Sequence, residues 1–351
     1  MLRFPREKLP KNPKFLIIKL RSIGDVVYNT AVYTPLKKSF PDCHLTVLVE
    51  PFSLDIVRNH PDIDRVLTFE KKSWLHSLGF YYRLFADRYD VVIDMHEGTR
   101  GAVMCFVTQA PYRVGHKFAN RSFLYNVKLD FGALNPNRPI DYQVALIKEM
   151  GVEFKKIAPS VHIPESARTT AGKLLQKNGF DLNETFCILH PGARAYDRWE
   201  AEKFAQLADS IYSQHQMKTL LTCGPGQKSM VDEITPKIKN APYTFISTDL
   251  ETLGAITQKA QFVVCHDGGY MHFATALGGP VVGLFGWTNP DIWRPPGNNA
   301  TIVSKEIECR PCNKQTRKQE CWDGRPECKT LITVDDILKA IDEVYPEKTT
   351  S

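Results

Sequence analysis

The most constraining feature of this chain is a rhythm. Short apolar, β-branched runs alternate with helix-like stretches, weaken once, and then begin again. The first set of runs lies at 15–20, 45–49, 65–69 and 91–95, with a shorter one at 112–114 and helical patterns at 25–39 and 74–88. After Gly115 the rhythm weakens. A turn cluster at 134–139, one helical stretch near 141–150 and an extended 157–164 read as a linker region. Runs then resume at 186–190, 219–223, 244–247, 262–266 and 281–285, and a last helix over 333–344 opens with the capping pair Thr333 and Asp336. Such β-α-β-α alternation predicts mainly parallel sheets with helices on both faces, here two doubly wound units in succession. The expected divisions are 1–164, 165–332 and a C-terminal helix and tail at 333–351.

Length and composition agree. At roughly 100–200 residues per domain, 351 residues make two domains the default. A hydrophobic share of 43% with 24% charged residues excludes a disordered or fibrous chain. No apolar run approaches the roughly 20 residues that span a bilayer, and the N-terminus lacks the apolar core of a signal peptide. The expectation is a soluble, cytoplasmic-type chain. Nine cysteines without a secretory leader argue against a disulfide framework. Cys309, Cys312, Cys321 and Cys328 cluster with spacing that could hold a structural zinc but misses the stricter two-knuckle pattern, so plain reduced thiols are the favoured reading and a disulfide the least favoured.

The net charge of +6 is unevenly divided. Residues 1–164 hold 24 Lys+Arg against 16 Asp+Glu, and the remainder holds 21 against 23. A basic first half suits an anionic partner, whereas a solvated lysine surface is the plainer alternative. No nucleic-acid-binding module is recognisable, and the basic excess is spread rather than striped, so a nucleic-acid partner is not expected.

Ligands of doubly wound folds gather at the carboxyl ends of strands, so chemistry is sought in the turns that follow them. Neither a G-x-G-x-x-G dinucleotide turn nor a G-x-x-x-x-G-K-[ST] phosphate loop occurs. The first strand instead runs into Arg21, Ser22 and Asp25, where Asp25 is either a helix-capping carboxylate or a group facing a ligand. The fourth ends in a polar turn carrying Gly98 and Arg100, the latter able to take an anion. In the second half, His190-Pro-Gly-Ala-Arg-Ala-Tyr-Asp-Arg-Trp199 offers the Gly192 turn with Arg194 and Arg198. Gly224 lies in a second glycine turn, and Asp267, Gly268, Gly269 and His272 open a third helix. Three glycine turns leading into helices point to a bound nucleotide diphosphate. Asp267 would repel phosphate but could accept bonds from sugar hydroxyls. A lone histidine such as His272 is more often a packed polar residue.

The order of these motifs resembles the heptosyltransferases, the lipopolysaccharide-core branch of glycosyltransferase family 9. The resemblance rests on Lys19-Leu-Arg-Ser-Ile-Gly-Asp-Val-Val27, the 190–199 stretch, Asp267-Gly-Gly-Tyr-Met-His272 and Gly283-Leu-Phe-Gly-Trp-Thr-Asn-Pro290. It implies the GT-B architecture, two facing Rossmann-like domains with a cleft between them. It also implies metal-independent, inverting transfer of heptose from ADP-heptose to a lipid A-Kdo or inner-core glycolipid acceptor. The enzyme would work from the cytoplasm against the anionic inner face of the inner membrane, and no cofactor is implied. By the same resemblance Asp25 is the catalytic base, and Arg21, Ser22, Gly98 and Arg100 face the acceptor. Gly192, Arg194, Arg198, Gly224, Asp267, Gly268, Gly269 and His272 would hold the donor. Two departures stand out. Family members often carry Lys near Trp199, where this chain has Arg198, and Gln227 and Lys228 stand where a carboxylate often approaches the donor ribose. Two alternatives share these motifs: a related enzyme using another nucleotide sugar, and a non-catalytic binder of sugar nucleotides or lipids.

Overall fold

The computed structural model describes residues 4–70, 73–130, 137–181, 184–193, 198–310, 312 and 326–346. The chain divides into two compact units, Met1–His162 and Ile163–Ser351. The first unit runs β1 (Lys14–Ile18), α1 (Ile23–Ser39), β2 (His44–Val49), α2 (Leu54–Val57), β3 (Arg65–Thr68), α3 (Trp74–Ala86), β4 (Val91–Asp94), α4 (Thr99–Val107), β5 (Tyr112–His116), β6 (Val127–Leu129) and α5 (Pro139–Glu149). The second runs α6 (Glu165–Lys177), β7 (Phe186–His190), α7 (Ala201–His215), β8 (Lys218–Thr222), α8 (Lys228–Ile234), β9 (Tyr243–Ile246), α9 (Leu250–Thr257), β10 (Val263–His266), α10 (Gly269–Ala276), β11 (Val281–Leu284), α11 (Pro290–Trp293), β12 (Ala300–Val303), α12 (Glu327–Thr330) and α13 (Val334–Val344).

Both sheets are parallel and six-stranded. Their orders are β3-β2-β1-β4-β5-β6 and, read from its far edge, β9-β8-β7-β10-β11-β12. Each is the Rossmann order, with the strand sequence reversing between β1 and β4 in one unit and between β7 and β10 in the other. The α/β class of two doubly wound sheets expected from the sequence is the one found. Central strands such as Phe15-Leu-Ile-Ile18 and Phe186-Cys-Ile-Leu-His190 are buried along their length, because helices cover both faces.

The stretch after Gly115 is not a linker. It supplies β6 and α5, which complete the first unit. Helix α5 packs against α1 and partners its buried amide: Asn29 donates to Gln143 Oε1 at 2.7 Å, while within α1 the Tyr33 hydroxyl donates to Asn29 Oδ1 at 2.7 Å. The C-terminal helix is likewise no separate piece. Its capping box forms as expected, Thr333 N donating to Asp336 Oδ2 and Asp336 N to Thr333 Oγ1. Ile337, Ala340 and Ile341 then join the core cluster of the second unit, beside Phe204, Leu284 and Val303. Among the described residues no helix is long and apolar enough to cross a membrane.

Candidate active site

In the first unit the sequence motifs meet at the β1/β4 switch point. The turn after β1 carries Lys19, Arg21 and Ser22, and α1 opens with Asp25 in its first turn. Asp25 Oδ2 accepts from the backbone amide of Ser22 at 3.0 Å and from its hydroxyl at 2.9 Å, so the capping reading of this carboxylate is realised. Its second oxygen, Oδ1, lies 3.6 Å from Lys19 Nζ. Lys19 is 8% exposed and donates to the Met95 carbonyl at 3.0 Å, which ties the end of β1 to the end of β4. Arg21 and Ser22 are exposed.

The turn after β4 contributes a residue that motif reading passed over, His96. Burial, followed by the positive charges of Lys19, Arg100 and Arg21, lowers its pKa to about 4, with Asp25 pulling the other way. The imidazole is therefore neutral at physiological pH and stands within a ring of three cations and one carboxylate. A Cβ on Gly98 would sit 3.0 Å from His96 Nε2, so the glycine lets the ring lie against the turn. Beneath it Asp94 is fully buried. Its Oδ1 accepts from the His96 and Glu97 amides at 2.9 and 3.2 Å, and its Oδ2 from the Tyr125 hydroxyl at 2.6 Å. Burial pushes this carboxyl up to about 6, against the lowering effect of those bonds. Arg100 already has an acid partner, Glu50 Oε1 at 2.5 Å, at the end of β2.

In the second unit the β7/β10 switch point gathers the expected donor turns. The β7 end places His190 and then Gly192. The His190 ring stacks on Tyr270 with centroids 4.0 Å apart, and its Nδ1 lies 2.9 Å from Thr222 Oγ1 at the end of β8. His266, at the end of β10, accepts from the Trp199 amide through Nε2 at 2.9 Å, which ties Trp199 to β10. Burial lowers the His190 pKa to about 3 and places His266 well below its ordinary value. Both histidines are thus uncharged, and the groups here that would meet an anion are arginines and helix ends.

Gln227, noted above only as a departure, joins two of the glycine turns. Its Oε1 accepts from the Gly224 amide at 3.2 Å and would be 2.5 Å from a Cβ placed on Gly192. Half-buried Asp267, exposed Gly268 and half-buried Gly269 open α10, whose first amides lack intrahelical partners. His272 is buried at 5% exposure one turn further on, the packed position that a lone histidine usually takes. Arg198 is exposed, and Arg194 lies outside the described residues. Of the cysteine cluster, Cys309 and Cys312 are part-exposed, Cys328 is buried, and Cys321 lies outside the described residues. Among the described residues no three His, Cys, Asp or Glu side chains converge as a metal would require.

Two Rossmann-type sheets, each with glycine turns and polar side chains collected at its switch point, define a protein of the nucleotide-binding α/β class. The sequence model of glycosyltransferase family 9 (heptosyltransferase) matches residues 78–323. Lipopolysaccharide heptosyltransferase 3 of Escherichia coli is 23% identical, covering 94% of this chain and 99% of that protein. In fold, the chain is similar to the family 9 glycosyltransferase from Veillonella parvula, with a TM-score of 0.82 at 21% identity over 96% of this chain and 98% of that one. It is also similar to E. coli heptosyltransferase WaaC with ADP-2-deoxy-2-fluoro heptose, with a TM-score of 0.70 at 19% identity over 94% and 99%. The chain belongs to glycosyltransferase family 9 and is a sugar-transferring enzyme.

Proposed function

We propose that the enzyme transfers heptose from ADP-heptose, with inversion, to the inner core of lipopolysaccharide on a lipid A-Kdo acceptor. The observation that carries this reading is the setting of Asp25, a carboxylate 3.6 Å from Lys19 Nζ at the β1/β4 switch point, which acts on His96 together with Lys19, Arg100 and Arg21. An acceptor bearing acidic sugars is drawn to those cations, and its hydroxyl then gives its proton to Asp25. The names of relatives such as lipopolysaccharide heptosyltransferase 3 and the heptosyltransferase WaaC support the choice of sugar.

In the proposed reaction the acceptor O–H gives its proton to Asp25 while its oxygen bonds to the anomeric carbon from the face opposite the diphosphate. The bond from that carbon to the diphosphate oxygen breaks, ADP departs with the electron pair, and configuration inverts. Charge gathering on the diphosphate is met by Arg198, by Arg194 through its place in the motif, and by the amides near Gly192, Gly268 and Gly269. Asp267 takes the role of accepting from sugar hydroxyls. A second reading, transfer from a different nucleotide sugar, is favoured by Gln227 alone, an amide where the family often has a carboxylate. The +8 formal charge of residues 1–164 supports work at the anionic cytoplasmic face of the inner membrane.

Supplying ADP-heptose, GDP-mannose and UDP-sugars in turn, with a core acceptor, and following nucleoside diphosphate release tests this reading. Release confined to ADP-heptose is expected; release from another donor overturns the assignment, and release from none leaves a binding protein.

A further inference from the structure

Helix α3 does something unusual for a helix of a folded unit: it is apolar on two sides. One side packs inward through Phe80 and Leu84, with Phe80 and Tyr81 against Phe69 at 4.8 and 6.1 Å between ring centroids. The other faces solvent with Trp74 74%, Leu75 62%, Leu78 58% and Tyr82 71% exposed, and Phe85 beside them. At 100° per residue these five side chains fall within an arc of about 100°, one continuous stripe down the helix. Lone exposed apolar residues need no explanation, but a stripe of this kind does. Among the described residues, nine of the eleven exposed large apolar side chains belong to the first unit.

The stripe is bordered by positive charge. Arg88 lies over the Phe85 ring at 4.8 Å, Arg113 over the exposed Phe106 of α4 at 5.6 Å, and Lys117 over the exposed Phe118 at 4.7 Å. Arg83, one residue past Tyr82, is exposed as well. Residues 71–128 carry nine Lys+Arg against four Asp+Glu, one of which is the buried Asp94. Helices α3 and α4 contact each other, so the α3 stripe and Phe106 with its arginine share one face of the sheet.

We infer that this face, centred on Trp74, Leu78 and Tyr82, is a membrane-docking surface that seats α3 in the headgroup region of an anionic bilayer. Aromatic rings flanked by arginine and lysine are the side chains that settle at a bilayer interface, apolar body inward and cation at the phosphates. A second copy of the chain is a poorer occupant. Two-fold pairing through the stripe would set the same arginines opposite one another. Topology supplies the use. In a parallel sheet each helix starts at the carboxyl edge, so Trp74 begins α3 at the same edge of the sheet that carries Asp25. A lipid-anchored acceptor would meet that edge without leaving its bilayer, and in this respect the inference rests on the glycolipid acceptor proposed above.

The test is co-sedimentation of the full chain with vesicles of phosphatidylcholine alone and of phosphatidylcholine mixed with phosphatidylglycerol. Binding to the mixed vesicles, weakened by salt, is expected. Trp74→Ser with Leu78→Ser should reduce partitioning about tenfold per side chain. Arg83→Glu with Arg88→Glu, a second pair that leaves the apolar stripe intact, should remove the preference for phosphatidylglycerol. Both pairs should turn over a deacylated, water-soluble acceptor at the wild-type rate and a vesicle-embedded acceptor more slowly. Failure of the wild-type chain to bind mixed vesicles, or unchanged binding by both variant pairs, overturns the inference. So does a wild-type dimer in sedimentation velocity that the serine pair dissociates. A wild-type chain that turns over the soluble acceptor but does not bind mixed vesicles refutes the docking surface alone, whereas no heptose transfer by the wild-type chain to the soluble acceptor refutes the proposed function.

Discussion

Lys19 Nζ lies 3.6 Å from Asp25 Oδ1 and donates to the Met95 carbonyl at 3.0 Å, so one buried cation joins the end of β4 to the first turn of α1. Lys19→Met removes both contacts and strands the carbonyl. We expect a stability loss of about 1–3 kcal/mol and at least about a tenfold fall in turnover, because the carboxylate loses the group that orients its free oxygen. Donor affinity, which the proposed reading assigns to the other unit, should not change. Calorimetric donor titration beside steady-state rates checks the split.

Gly192→Ala tests the coupling between the two glycine turns. The new methyl would lie 2.5 Å from Gln227 Oε1 and 2.8 Å from His190 Nε2, closer than a carbon atom can sit. Donor affinity should fall about tenfold, the magnitude of roughly 1.4 kcal/mol. Adding Gln227→Ala should restore part of it, since the amide is removed and the imidazole is not. Strict additivity of the two losses would show that the turns are not coupled through Gln227.

Asp94 carries a pH signature. In the fold its carboxyl holds a proton up to about pH 6, and in the unfolded chain only to its ordinary 3.8. Between those values the folded chain binds more proton, so the contribution of Asp94 to stability falls as pH rises, by on the order of 3 kcal/mol in all. Asp94→Asn keeps an acceptor for the His96 and Glu97 amides and cannot ionise. Urea unfolding from pH 4 to 8 should show the wild-type chain losing stability relative to the variant up to about pH 6 and holding level above it. His96 contributes the opposite slope, since an imidazole whose pKa is about 4 in the fold adds stability as pH rises from 4 to 6.5. The comparison with the variant is what isolates the carboxyl.

Gly101→Ala bears on the same group from the other side. Its Cβ would stand 2.4 Å from Asp94 Oδ1, with the carboxylate held between Tyr125 and two amides and unable to retreat. A loss of about 1–3 kcal/mol is expected from the shift in the urea midpoint.

Most strands and the turns that matter could be read from the residues, because a buried parallel strand is a continuous apolar run and a ligand turn needs glycine or a polar cap after it. Asp25, Gly192 and Gly268 announce themselves this way. β6 does not: it is three residues, Val127, Lys128 and Leu129, with the lysine exposed at the sheet edge, too short to show a period. β12, at the edge of the second sheet, is only partly buried and hides for the same reason. His96 and Gln227 lie in or beside turns that the sequence marks as polar or glycine-rich, yet their roles arise from neighbours far along the chain. His96 takes its character from Lys19, and Gln227 from Gly192. Spacing along a sequence carries no signal of such meetings. The stripe on α3 was legible as a helix, but its second apolar side became visible only once the first was seen to fill the core.

In the proposed reaction Asp25 accepts the proton of the attacking hydroxyl, and Asp25→Asn tests this most directly. Asparagine keeps an oxygen to accept the Ser22 amide, so the start of α1 is preserved while the basic carboxylate is lost. The measurement is single-turnover heptose transfer from ADP-heptose to a core acceptor, with donor affinity determined on the same preparation. We predict a rate lower by about 10²–10⁴-fold at unchanged donor affinity. Wild-type turnover by the asparagine variant would contradict the account.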